Sequence, residues 1–84
     1  MESYSVRIKA SAVRELEAVP RKDRQRIVAR IQTLCENPRP VGCEKLGGQD
    51  LYRVRQGNYR ILYSVHDTHV LVVVIKIGHR REVY

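Results

Sequence analysis

Cysteine is scarce in this 84-residue chain, with only Cys35 and Cys43. Two are too few for a disulfide framework, and they lack the paired C-x-x-C spacing of redox or zinc motifs, so a reducing cytosol suits them. Long apolar runs are missing as well. The longest, Val70 to Ile75, is six residues, far short of the roughly 20 needed to span a bilayer. The opening Met1-Glu2-Ser3-Tyr4 has no basic-then-apolar order, so no signal peptide is expected. These absences predict a soluble, cytoplasmic protein with no membrane association. Histidines number three, His66, His69 and His79, and no fourth ligand is placed near them, so neither a metal nor any other cofactor is expected.

Acidic residues are also few. Nine Asp+Glu face 16 Lys+Arg, leaving a net charge of +7; twelve of those cations are arginine, whose planar, permanently charged fork grips phosphate bidentately. A polyanionic partner is the physical expectation. With 43% hydrophobic and 30% charged residues the chain has an ordinary globular composition, and its length suits one small domain over residues 1–84.

Hydrophobic periodicity outlines the elements. Tyr4-Ser5-Val6-Arg7-Ile8 alternates like a half-buried strand, and Ser11 stands where a helix N-cap is expected. Val13, Leu16 and Val19 form a narrow apolar stripe, and Pro20 marks a corner between two helices. Ile27, Ile31, Leu34 and Cys35 then give the spacing of a second helix, with Cys35 read as core, and Asn37-Pro38 stops it. Residues 38–50, rich in Pro and Gly, read as a loop anchored by Leu46. Three strands follow, Leu51 to Arg55, Tyr59 to His66 and Val70 to Ile77, joined by Gln56-Gly57-Asn58 and Asp67-Thr68-His69, turns short enough to force antiparallel hairpins. The order predicts an α+β fold: a strand, a helical hairpin, then a three-stranded antiparallel meander, with the helices packed on one sheet face.

Alternation sends Tyr52 and Val54 to one side and Leu51, Arg53 and Arg55 to the other, with Tyr59, Ile61, Tyr63 and Val65 separated in the same way from Arg60, Leu62, Ser64 and His66. The arginines therefore share the face away from the helices. A hairpin turning on Gln56-Gly57 would set Arg53 opposite Arg60, a like-charge pair that a bound phosphate would relieve. For the last strand, three loop residues would place Lys76 opposite Arg60, and two would place Ile75 there. After it, Gly78 permits a bend that brings His79, Arg80, Arg81 and Tyr84 toward the sheet edge.

Leu51-Tyr52-Arg53-Val54-Arg55, Gly57-Asn58-Tyr59-Arg60-Ile61-Leu62-Tyr63, and the run from Val74 to Tyr84 through Gly78-His79-Arg80 resemble the RelE toxins of the RelE/ParE superfamily, over nearly the whole chain. The resemblance implies a toxin of a type II toxin-antitoxin system that cleaves messenger RNA in the ribosomal A site, with the ribosome, mRNA and a cognate antitoxin as partners in a possible hetero-oligomer. By position it implies Arg53, Arg55, Arg60, Arg80 and Tyr84 as the catalytic set. Arg53, Arg55, Lys76, His79 and Arg81 are the expected RNA-binding residues.

Attack of an RNA 2′-hydroxyl on the adjacent phosphorus needs a base, positive charge around the phosphate and an acid for the leaving 5′-oxygen. Arginines supply the charge and are poor proton carriers. Tyr84, if neighbouring arginines lower its pKa, and the His79 imidazole are the two proton-carrier readings. Two other functions fit the same residues: a ParE-like inhibitor of DNA gyrase, and a non-catalytic basic module that binds RNA or an acidic protein.

Overall fold

The computed structural model describes residues 3–47 and 50–79. The elements run β1 (Ser5–Ile8), α1 (Ala10–Glu17), α2 (Arg21–Glu36), β2 (Glu44–Lys45), β3 (Leu51–Gln56), β4 (Tyr59–His66) and β5 (Leu71–His79). The expected α+β order holds, and the 38–50 segment contributes one more strand, the two-residue β2. The five strands lie in the order β1-β5-β4-β3-β2. β1 joins β5 in parallel, and every other pairing is antiparallel. Among the described residues no helix is long and apolar enough to cross a membrane.

The helices start where the strands release them. Lys9, not Ser11, is the N-cap of α1: its N–H donates to the Val74 carbonyl at 3.0 Å, and its own carbonyl accepts from Val13 N at 2.9 Å. The end of the parallel ladder thus sets the first turn. This rotates the buried stripe to Ala12, Leu16 and Val19, and Val13, expected inside, is 39% exposed. Pro20 caps α2 from the position before its first residue, where its missing N–H costs nothing. Ile27, Ile31 and Leu34 are buried; Cys35 is only half-buried, its thiol donating to the Ile31 carbonyl. α1 runs beside β5 and α2 packs against β3.

One sheet face carries the core. Tyr52, Val54, Ile61, Tyr63, Val65, Val72, Val74 and Ile77 meet Ala12, Val19 and the α2 stripe, matching the period of two expected for a half-covered sheet. The Tyr63 hydroxyl, inside this layer, donates to the Pro38 carbonyl at 2.7 Å, and burial pushes its pKa well up. At the β4–β5 turn, Arg39 clasps Asp67 through two nitrogens at 3.1 and 2.8 Å and donates from Nε to the Tyr52 hydroxyl. Tyr4 also donates to Asp67 at 2.7 Å. Those hydrogen bonds, from Arg39 first and then Tyr4, hold the Asp67 carboxyl down at about 2.

Three registers differ from expectation. The β3–β4 hairpin turns on Gly57-Asn58, not Gln56-Gly57, because Gly57 takes φ +60°, the conformation that a first central glycine supplies at no steric cost. Arg55 therefore faces Arg60, and Arg53 faces Leu62. The β4–β5 loop has four residues, Asp67 to Val70, before Leu71 pairs with His66; Val70 adopts φ +50°. A bulge then breaks the ladder: Leu62 pairs with Lys76 and Tyr63 with Val74, leaving Ile75 as the extra residue. Arg60 consequently faces Gly78, neither Lys76 nor Ile75. Gly78 and His79 do not bend away; they remain in β5, paired with Arg60 and Tyr59.

Candidate functional site

On the face away from the helices the strand pairings stack side chains into rows. One row runs Arg7, Val73, Ser64, Leu51 across β1, β5, β4 and β3. The next on β4 and β3 pairs Leu62 with Arg53, beside Glu44 on β2. Beyond it Arg60 faces Arg55. Sequence alternation placed these arginines on one face, and the structure gathers three of the expected residues, Arg53, Arg55 and Arg60, within two adjacent rows.

Their environments differ. Arg55 is exposed, at the end of β3 beside the turn. Arg53 is 13% exposed, with one terminal nitrogen 2.8 Å from Glu44 Oε2. Its Nε is buried and has no hydrogen-bond partner among the described residues. A buried donor left unmade costs free energy that an anion on this face would recover. Leu62, opposite Arg53, is only 6% exposed despite facing away from the core, consistent with arginine stems lying over it while their charged heads reach outward.

Two expected RNA-binding residues take other partners. Lys76 stands opposite Leu62 after the bulge, and its ammonium meets Glu15 Oε2 of α1 at 2.9 Å. The other Glu15 oxygen accepts the Ile77 N–H at 3.1 Å. His79 falls on the helix side, its ring 5.8 Å from that of Tyr59 and nearly perpendicular to it, in a recess lined also by Val19 and Ile77. His79 is thereby turned from the arginine rows, whereas Lys76 shares the row of Leu62 and Arg53 with its ammonium paired to Glu15. Arg80, Arg81 and Tyr84 lie outside the described residues.

Sequence reasoning missed two cations on this face. Arg7 and Lys9 sit at the β1 end of it because β1 pairs in parallel with β5, Arg7 opposite Val73. Val6 and Ile8 on the alternate side carried the signal, but only if the pairing partner of β1 was known. Arg53, Arg55 and Arg60 bring positive charge to this face, and as permanently protonated groups they are poor proton carriers.

Known toxins are similar to this chain in sequence and fold. A family profile, the ParE toxin of type II toxin-antitoxin system, parDE, matches residues 6–84. Toxin RelG of Mycobacterium tuberculosis is 33% identical over 89 residues, covering 96% of this chain and 95% of that protein. Toxin RelE of the same organism is 32% identical over 83 residues, with 96% and 86% covered. Among solved structures, the toxin-antitoxin complex RelBE2 from Mycobacterium tuberculosis superposes with a TM-score of 0.84 at 29% identity, covering 95% of this chain and 94% of that one. The isolated E. coli RelE toxin superposes at 0.82 with 25% identity, over 92% and 84%. Matched along its length in both sequence and strand order, the chain belongs to the RelE/ParE superfamily of type II toxin-antitoxin toxins, as a RelE-type member.

Proposed function

We propose that this toxin cleaves messenger RNA on the ribosome by attack of the RNA's own 2′-hydroxyl, without a metal ion. The observation that carries the reading is the arginine set on the open sheet face, in which Arg55 and Arg60 are directly opposed and Arg53 Nε is buried without a partner among the described residues. Opposed like charges destabilise a sheet, and a phosphate between them turns that repulsion into attraction. In the transition state the phosphorane gains negative charge, and the three guanidinium groups of this face are the donors that stabilise it. Arg80 joins them, and Tyr84 moves a proton, by their positions in the resemblance. Ribosomal alignment of the RNA supplies the remaining rate enhancement by holding the 2′-oxygen in line. The toxin works in the cytoplasm, where its substrate is translated.

A cognate antitoxin, the counterpart of RelB in the complexes known for E. coli and Pyrococcus horikoshii, silences it through an acidic or amphipathic segment that covers the basic face or the helical hairpin. The test is single-turnover cleavage of programmed ribosomes with mild chelation, mapping both new ends. Products with a 2′,3′-cyclic phosphate and a 5′-hydroxyl, and a loss of about a hundredfold or more in rate for Arg60→Ala, are expected. Products with a 5′-phosphate, or full activity in Arg60→Ala, would refute the mechanism. Because the matching profile is that of ParE, gyrase inhibition is the second reading, and a supercoiling assay with purified gyrase separates the two.

A further inference from the structure

Next to the arginine rows, the same sheet face holds a cleft that the chemistry above does not use. It encloses about 470 Å³ and is lined by Lys9, Asp50, Leu51, Ser64, His66, Val73 and Ile75. Its floor is the row Val73, Ser64, Leu51, with Ile75 delivered to it by the β5 bulge. An antiparallel sheet with one covered face ordinarily presents polar side chains on the other, yet here Leu51, Val73 and Ile75 are half-buried apolar groups in the open. The polar groups stand around them. Ser64 Oγ lies 3.0 Å from His66 Nε2 and orients the imidazole at the end of the floor. Lys9 follows β1 and Asp50 precedes β3, so the two charged rims are three strand spacings apart, about 14 Å.

We propose that this cleft is a subsite for one nucleotide of single-stranded RNA flanking the cleaved bond, an inference that rests on the RNA reading above. Charge chooses the occupant: Arg7, Lys9, Arg53, Arg55 and Arg60 line the face, and the cleft begins two residues along β3 from Arg53, about 7 Å, the scale of one step of an extended RNA strand. Charge also orients it. The Lys9 rim takes the phosphate, whereas the Asp50 carboxylate repels phosphate and accepts hydrogen bonds from base N–H groups. The base lies on the Leu51–Val73–Ile75 floor beside the imidazole, as unstacked bases lie on apolar and aromatic platforms elsewhere. The volume is that of a small-molecule site.

The test is a titration of the isotopically labelled full chain with a five-nucleotide, 2′-O-methylated RNA that cannot be cleaved, followed by amide chemical shifts, together with fluorescence anisotropy across a salt series. Amides of Leu51, Ser64, His66 and Val73 are expected to shift along with those of Arg53 and Arg60. Lys9→Gln should reduce the salt slope by about 0.7, and His66→Ala should weaken affinity about tenfold. Arg26→Gln, on the exposed side of α2, should bind like the parent. Shifts confined to the arginine rows, with Lys9→Gln and His66→Ala at parental affinity, would overturn the subsite and leave the RNA reading standing. No shift anywhere and no salt dependence would overturn both. Shifts of the cleft amides by a glutamate-rich peptide but not by RNA would assign the cleft to a protein partner and overturn the proposal. Because the titration uses the parent chain, it decides the matter even if a variant misfolds.

Discussion

Replacing Arg55 by glutamine should move stability and RNA binding in opposite directions. Arg55 and Arg60 are directly opposed in the β3–β4 ladder, a geometry that brings Cβ atoms within about 5.5 Å and costs about 0.2–1 kcal/mol for like charges. Removing one charge while keeping a polar side chain of similar reach should recover about 0.5 kcal/mol. For a domain of this size that raises Tm by about 2–4 °C. The gain should shrink in 0.5 M salt, where the screening length falls to a few ångströms. The same change deletes an exposed phosphate ligand. Losing one charge-assisted hydrogen bond, worth about 1.5–3 kcal/mol, should weaken oligoribonucleotide binding about tenfold or more and lower the salt slope by about 0.7. Thermal unfolding followed by circular dichroism at 20 mM and 500 mM salt measures the first effect, and anisotropy titration of a labelled RNA the second. A lower Tm at low salt would show that the pair is not repulsive in the folded protein. Unchanged affinity and slope would remove Arg55 from the RNA surface.

Three further outcomes test the fold that presents this surface. Tyr63→Phe leaves the Pro38 carbonyl without its 2.7 Å donor inside the core and should cost about 1–3 kcal/mol by urea denaturation, whereas a loss under about 0.5 kcal/mol would mean water reaches that carbonyl. Asp67 is held at about 2 by Arg39 and Tyr4, below its unfolded value of about 3.9, so its stabilising effect is complete above about pH 4 and lost as pH falls through 2; Asp67→Asn should lower Tm at pH 7 and flatten its decline between pH 4 and 2, and an unaltered acid profile would contradict the clasp. Val70 sits at φ +50°, a conformation costly to a β-branched residue, so Val70→Gly should cost less than about 0.5 kcal/mol, in contrast to several for Val72→Gly in the core; equal costs would argue against that backbone conformation.

What the sequence determined by itself was the face of each side chain within a strand, because alternation is local and has a fixed period. From it came the separation of Tyr52 and Val54 from Arg53 and Arg55, and of Ile61, Tyr63 and Val65 from Arg60. The same periodicity marked the buried residues of α2, whose long repeat fixes its phase, and Leu16 and Val19 of the first helical stripe, but it misplaced Val13, because in the eight residues of α1 the phase is set by the end of the β1–β5 ladder. The tertiary structure decided which arginines meet, because cross-strand register depends on one turn dihedral at Gly57, and a shift of turn by one residue changes each opposed pair. It also decided that Lys76 faces Leu62 and His79 faces Tyr59, because a single bulged residue reverses the parity of all that follows it in β5. Finally, it alone brought Arg7 and Lys9 to the working face, since pairing the first strand with the last is a contact between residues more than sixty positions apart, and no local pattern encodes the partner of a strand.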